Sequence, residues 1–215
     1  MASHYTFDRS EKPIRLFKSD FMEFFTHISP VVVVIIWLPI ILYFLISAII
    51  NRAAGASWAY IPVGFIAGLL IWTFLEYTLH RFLFHFKPRT KTQERISFLF
   101  HGVHHAQPQC KTRLVMPPVV SIPMALILYG LFYLVMAVIF GRPQWIGPVF
   151  SGALLGYLMY DITHYATHHF RMRKGYFKFL RRYHMAHHFR DWNAAYGVTS
   201  PIWDKVFGTE IKNLS

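Results

Sequence analysis

Eleven of the thirteen histidines in this 215-residue chain fall into four short groups: His80-x4-His85, His101-x2-His104-His105, His164-x3-His168-His169 and His184-x2-His187-His188. Neutral imidazole is a ligand for Zn, Cu, Fe and Ni, so the residue type points to a transition metal without naming it. Residues at i, i+3 and i+4 share a helical face. His101, His104 and His105 can therefore converge, as can His184, His187 and His188, and His164 can join His168. His169 sits about 140° round from His164 at about 100° per residue, and it ranks below the others. His80 and His85 share a face only where the helix ends or distorts, and the nearby Pro88 favours an end there. One structural zinc would need only four ligands, whereas this many imidazoles suit two ions at five or six ligands each. Two other readings compete: a bis-histidine haem, which needs one facing pair rather than dense triplets, and a solvated basic face, which fits one group but not four. His4 and His27 lie outside the groups and read as surface or interfacial residues.

The elements that must carry these groups are apolar. Apolar residues make up 54% of the chain and charged ones 15%, with a mean hydropathy of +0.34, which excludes a disordered chain and argues against an ordinary cytosolic enzyme. Runs at about 29–50, 58–84, 119–140 and 145–165 are each long enough to cross a hydrocarbon core of about 30 Å, and four such runs argue against a soluble helical core. The fourth carries Gly152 and Gly156, a small-xxx-small pair that admits a close neighbour helix. The fold class expected is therefore all-α and membrane-integral, with four transmembrane helices. An interfacial segment, 1–28, precedes a single membrane domain, 29–215. Its histidine-rich stretches, 85–116 and 166–215, form a cytoplasmic helical cap.

Charge sets the orientation. Of 22 Lys+Arg against 10 Asp+Glu, only Arg52 and Arg142 fall in the two loops opposite the histidines. The positive-inside rule then places both termini and the histidine segments in the cytoplasm. Orientation and anionic headgroups account for the formal charge of +12, and no nucleic acid is needed. The lone Cys110 forms no intrachain disulfide. Phosphate-binding glycine loops, dinucleotide fingerprints and nucleophile elbows are absent from the sequence.

Two carboxylates lie within the spans, where such groups are costly and tend to be functional. Glu76 is one turn before His80 and Asp161 three residues before His164. Both are expected to orient imidazoles by accepting their second ring N–H, against a plainer role in helix–helix hydrogen bonding. Trp72, Tyr157, Tyr160 and Tyr165 are expected to pack, or to wall a lipid slot.

The pattern HxxxxH, HxxHH, HxxxH(H), HxxHH between four spans resembles the fatty acid hydroxylase/sterol desaturase superfamily of membrane di-metal oxygenases. Longer stretches resemble its fatty acid 2-hydroxylase branch: Trp72-Thr73-Phe74-Leu75-Glu76-Tyr77, Arg113-Leu114-Val115-Met116-Pro117-Pro118, Gly156-Tyr157-Leu158-Met159-Tyr160-Asp161, and Tyr196-Gly197-Val198-Thr199-Ser200 through Trp203-Asp204 to Thr209. The match runs from about Pro13 to Thr209. The resemblance implies O2-dependent 2-hydroxylation of fatty acids or of lipid acyl chains such as those of ceramides, giving (R)-2-hydroxy products. It implies metal ligation by His80, His85, His101, His104, His105, His164, His168, His184, His187 and His188. Two iron ions are the expected metals, because zinc has no redox chemistry, although zinc can occupy the sites of purified relatives. Many relatives carry a cytochrome b5 domain before the first span, where this chain has 28 residues. Electrons are therefore expected from a separate donor, cytochrome b5 or a ferredoxin with its reductase. The membrane is the endoplasmic reticulum in a eukaryote or the inner membrane in a bacterium. Oxidation of carotenoids or sterols is the neighbouring alternative, and metal transport or sensing a remote one, since no histidine sits mid-span.

Overall fold

The computed structural model describes residues 8, 10, 12–52 and 55–213; His4 lies outside them. A short α1 (Asp20–Phe24) precedes α2 (Pro30–Ile50), which opens on the Ser29 side chain accepting from the Val31 N–H, with Pro30 at the first helical position. Next, α3 (Tyr60–Thr78) continues into a π-helical turn, Leu79–Phe84. The chain then passes through α4 (Lys91–Ser97), a second π turn (Phe98–Gly102) and α5 (Val103–Ala106). Helix α6 (Pro118–Phe132) widens into a third π segment, Tyr133–Ile139. After a short 3₁₀ turn come α7 (Ile146–His169), α8 (Gly175–Phe189) and α9 (Ile202–Phe207). Among the described residues there is no strand.

Among the described residues, three helices are long and apolar enough to cross a membrane: Pro30–Ile50, Tyr60–Phe84 and Pro118–Ile139. They match the first three runs expected from hydropathy to within two residues. The fourth run is helical too, but α7 is not among these three. Its length of 24 residues suffices; its composition does not, because Ser151, Gly152, Gly156, Asp161 and His164 dilute its apolar character. The structure supplies the reason. Helix α7 is the central helix, buried along most of its length against α3 and α2, so it has little lipid to satisfy and can carry polar residues.

The seam between α3 and α7 is made by glycines on both sides. A Cβ at Gly68 would collide with the Val149 carbonyl oxygen, and one at Gly152 with the Phe65 carbonyl oxygen. A Cβ on Gly156 would come within 2.6 Å of the Trp72 ring, and one on Gly64 within 2.9 Å of Pro148. The small pair expected on α7 therefore has a counterpart, Gly64 and Gly68, that the sequence analysis does not single out. Around this seam Trp37 of α2 and Trp72 of α3 meet Tyr157 edge-on, at ring distances of 5.3 and 5.4 Å, within a buried cluster that includes Val33, Ile41, Phe150 and Leu154. The result is a rigid post whose end carries His164 and His168.

Candidate metal centre

The π turn at Leu79–Phe84 solves the awkward five-residue spacing of the first histidine pair. A π turn bonds i to i+5, and the His85 N–H donates to the His80 carbonyl at 3.0 Å. Both rings then face the same way, with centroids 4.9 Å apart. The other three groups arrive on α5 and the turn before it, on the end of α7, and on α8.

Ten histidines assemble as two groups of five. One contains His80, His85, His101, His105 and His187; the other contains His104, His164, His168, His184 and His188. Each HxxHH motif is divided between them. His101 and His105 go to the first group while His104 goes to the second; His187 goes to the first while His184 and His188 go to the second. The groups abut, with the rings of His105 and His188 stacked at 4.1 Å. His169 falls outside both, its ring against Tyr165 at 4.6 Å. His27 lies beside Thr112 and Arg113 at 2.8 and 3.0 Å, far along the chain from the clusters.

The ring nitrogens fit a cation. In the second group the Nε2 atoms form a chain, His164–His104–His188–His184–His168, with separations of 2.9, 3.0, 3.1 and 2.9 Å. A neutral ring nitrogen either carries one proton or presents one lone pair, and no assignment of one proton per ring satisfies all four contacts. A shared cation satisfies every lone pair at once. With a metal–imidazole bond of about 2.1 Å, neighbouring donors sit about 3.0 Å apart at right angles and about 3.4 Å apart at the tetrahedral angle. The observed spacing suits the former. In the first group, Nε2 atoms pair at 3.1 Å between His80 and His101 and again between His85 and His187.

Two rings have their tautomer set by the backbone. The His80 Nδ1–H donates to the Tyr196 carbonyl at 2.5 Å and the His187 Nδ1–H to the Ala194 carbonyl at 2.7 Å. A carbonyl only accepts, so the proton is on Nδ1 and the Nε2 lone pair faces the cluster. Ala195, between these two carbonyls, is fully buried and held at φ 59°, a conformation disfavoured for any residue with a Cβ. Its N–H donates to the Thr209 carbonyl at 2.7 Å. Burial holds His101, His104, His105, His168, His184 and His188 well below the usual histidine range. It also lowers His187 to about 4 and His85 to about 2. These imidazoles are therefore neutral near pH 7, the form that binds a metal.

The two carboxylates act one step further out than the sequence analysis expects. The hydrogen bonds of Glu76 go to the Val198 and Thr199 N–H groups at 2.6 and 2.8 Å and to the Thr199 hydroxyl. Glu76 thereby anchors the loop whose Tyr196 carbonyl holds His80. Asp161 accepts from the Met116 N–H at 3.3 and 3.2 Å. Asp204, which the sequence analysis places only within a motif, accepts from the Tyr196 and Gly197 N–H groups at 2.9 and 2.8 Å and from the Thr209 hydroxyl at 2.8 Å.

A cavity of about 550 Å³ opens beside both groups, reaching His101 of one and His104 and His164 of the other. Tyr160 and Asp161 line it from α7, Phe84 and Leu99 from the histidine segments, and Phe17, Phe21 and Phe25 from the N-terminal segment. That segment is pinned by Arg113, which donates to the Glu23 carboxylate and to the Ile14 carbonyl. Trp72 and Tyr157 line a second, smaller cavity instead, while Tyr165 packs at the edge of the core.

The fatty acid hydroxylase family model matches residues 65–209, which include every histidine of both groups. The chain belongs to the fatty acid hydroxylase family. It is 42% identical over 195 residues to the dihydroceramide fatty acyl 2-hydroxylase FAH2 of Arabidopsis thaliana, covering 91% of this chain and 79% of that one. It is 41% identical over 195 residues to the ceramide very long chain fatty acid hydroxylase scs7 of Schizosaccharomyces pombe, covering 89% and 53%. Against the human fatty acid 2-hydroxylase the identity is 37% over 217 residues, covering 92% and 57%. This chain thus spans little more than half the length of the latter two. A solved structure described as full-length scs7p, with only its hydroxylase domain visible, superposes with a TM-score of 0.81 at 33% identity, covering 94% of this chain and 76% of that one. Relatives of this hydroxylase are thus named as 2-hydroxylases of fatty acids and ceramides, and its histidine groups fit a di-metal site.

Proposed function

We propose that this hydroxylase inserts one oxygen atom from O2 at C2 of a fatty acid, or of the acyl chain of a lipid such as a ceramide, giving the (R)-2-hydroxy product. The observation that carries this reading is the apolar cavity meeting both five-histidine groups. His80, His85, His101, His105 and His187 would hold one ion and His104, His164, His168, His184 and His188 the other. Iron, once bound, supplies the redox chemistry that zinc lacks: one oxygen atom enters the C–H bond, the other leaves as water, and two electrons and two protons are consumed. Those electrons come from a redox protein such as cytochrome b5, or a ferredoxin with its reductase.

The protein's own part is binding, orientation and exclusion of water. Aromatic and aliphatic side chains hold the acyl chain in the cavity and keep bulk water from the reacting carbon. The Ala194 and Tyr196 carbonyls hold two imidazoles in one tautomer. We place α7 as a fourth span, sheathed by α2 and α3, with the histidine segments forming a cytoplasmic cap. Residues 1–28 are the interfacial segment and 29–215 the hydroxylase domain, in the endoplasmic reticulum or in a bacterial inner membrane. Support for this topology comes from the lysine and arginine asymmetry and from the position of all ten histidines at one end of the helices.

Mass spectrometry of lipids from iron-supplemented cells expressing the chain tests this reading. New 2-hydroxy acyl chains are expected with the wild type. They should be lost in both His104→Ala and His187→Ala, one from each group, while membrane insertion persists. Wild-type product levels in both variants would overturn the shared di-metal site.

A further inference from the structure

The second cavity, about 290 Å³, is lined almost wholly by aliphatic and aromatic side chains between α3, α6 and α7. It shares a single lining residue with the first cavity: Met116. Register places it behind the first on α6 and α7, and on the π turn the two meet, with Leu83 lining the second beside Phe84 of the first. On α6 the first cavity takes Val120, and the second extends to Leu128 and Leu131. On α7 the first takes Asp161 and the second Tyr157 and Leu154. Along α3 and its π turn the first takes Phe84 and the second Leu79 and Leu75. Val120 to Leu131 spans about 16 Å at about 1.5 Å per residue.

We propose, on the basis of the 2-hydroxylase reading above, that this groove holds the distal part of the same acyl chain whose C2 meets the histidine groups. Met116 is the collar between head-proximal and distal segments, and so a determinant of chain-length preference. Occupancy by the chain's tail follows from adjacency: for a lipid whose head-proximal carbons lie beside His104 and His164, the second cavity is the next apolar space, since the two share Met116 and neighbour each other at Val120 and Ser121. Methionine suits a collar because its unbranched, three-torsion side chain yields to a passing chain and closes behind a shorter one. Its backbone is not free to yield, since the Met116 N–H is held by Asp161. The collar's position is therefore set by α7, the same helix that sets His164.

The test supplies expressing cells with medium-, long- and very-long-chain fatty acids and measures the hydroxylated fraction within each chain length. Met116→Trp narrows the collar and Leu128→Trp fills the groove beyond it. Each should lower the ratio of very-long- to medium-chain hydroxylation by at least about tenfold, the size of effect expected when a methylene no longer fits. Met116→Ala should shift the ratio the other way. A very-long-chain acid with a mid-chain diazirine should label Leu154 or Tyr157, which face the groove and are buried from bulk lipid. Unchanged ratios in all three variants, with no label at Leu154 or Tyr157, would overturn the inference while leaving 2-hydroxylation standing. Label at those residues without any 2-hydroxy product would sustain the groove and refute the reaction.

Discussion

At the scale of single residues, the site depends on groups whose side chains bond to backbone and not to the clustered histidines. Glu76 and Asp204 between them hold the amides of Tyr196, Gly197, Val198 and Thr199. That loop presents the two carbonyls which fix His80 and His187. If Glu76 works through the backbone, Glu76→Gln should be mild, because an amide oxygen still accepts from both N–H groups. Glu76→Leu should be severe, because it orphans two buried amides at about 1–3 kcal/mol each. Metal content by inductively coupled plasma mass spectrometry and thermal unfolding in detergent check this. Equal metal loss in both variants would instead mean that the negative charge acts on the cluster directly. The left-handed Ala195 follows the same logic: a conformation costing about 1–3 kcal/mol survives where the surroundings over-determine it, and here it lets the Ala194 and Tyr196 carbonyls on either side of it meet two different rings.

At the scale of elements, the glycine seam between α3 and α7 sets the register between the helices carrying His80 and His164. Gly152→Leu would drive a side chain into the Phe65 carbonyl; relieving that clash requires α3 to move as a whole. Overpacking usually costs about 1–3 kcal/mol, and here the displacement is delivered to the metal centre. The expected outcome is lowered thermal stability together with a loss of metal and activity larger than a comparable substitution at lipid-facing Leu126 produces. Full metal loading in Gly152→Leu would show that the two ends of the seam are not coupled. The π turn at Leu79–Phe84 is a second such device, since a regular helix would send His80 and His85 to different faces.

At the scale of the whole molecule, acid should release the metal and loosen the fold together. Burial lowers His187 to about 4 and His85 to about 2 and holds six other rings of the centre well below the usual range, against about 6.5 in an unfolded chain. The unfolded chain then binds more protons below about pH 6.5, so the stabilisation is fully present above that pH and is lost as pH falls toward the folded values. Metal binding runs in the same direction, since it requires the neutral rings. Unfolding temperature and retained metal should both decline from about pH 7 to about pH 5. A flat profile for both would mean that the rings are neither buried nor neutral.

By itself the sequence pointed to metal chemistry on clustered imidazoles and to apolar helices of spanning length. Histidines at helical spacing, apolar runs of spanning length and a lopsided distribution of lysine and arginine are local or additive signals, and each survives being read along one dimension. Three apolar helices and a clustering of four histidine groups were legible for that reason, as was the small pair on α7. Tertiary structure alone decided how each HxxHH motif is split between two groups, because that depends on which helices face each other across the centre. It also decided that Glu76 and Asp161 hold backbone rather than imidazoles, and that Met116 stands between two cavities. Those are properties of contacts between residues tens of positions apart, such as Glu76 and Val198, whose distance in space is set by packing and leaves no periodic trace in the chain.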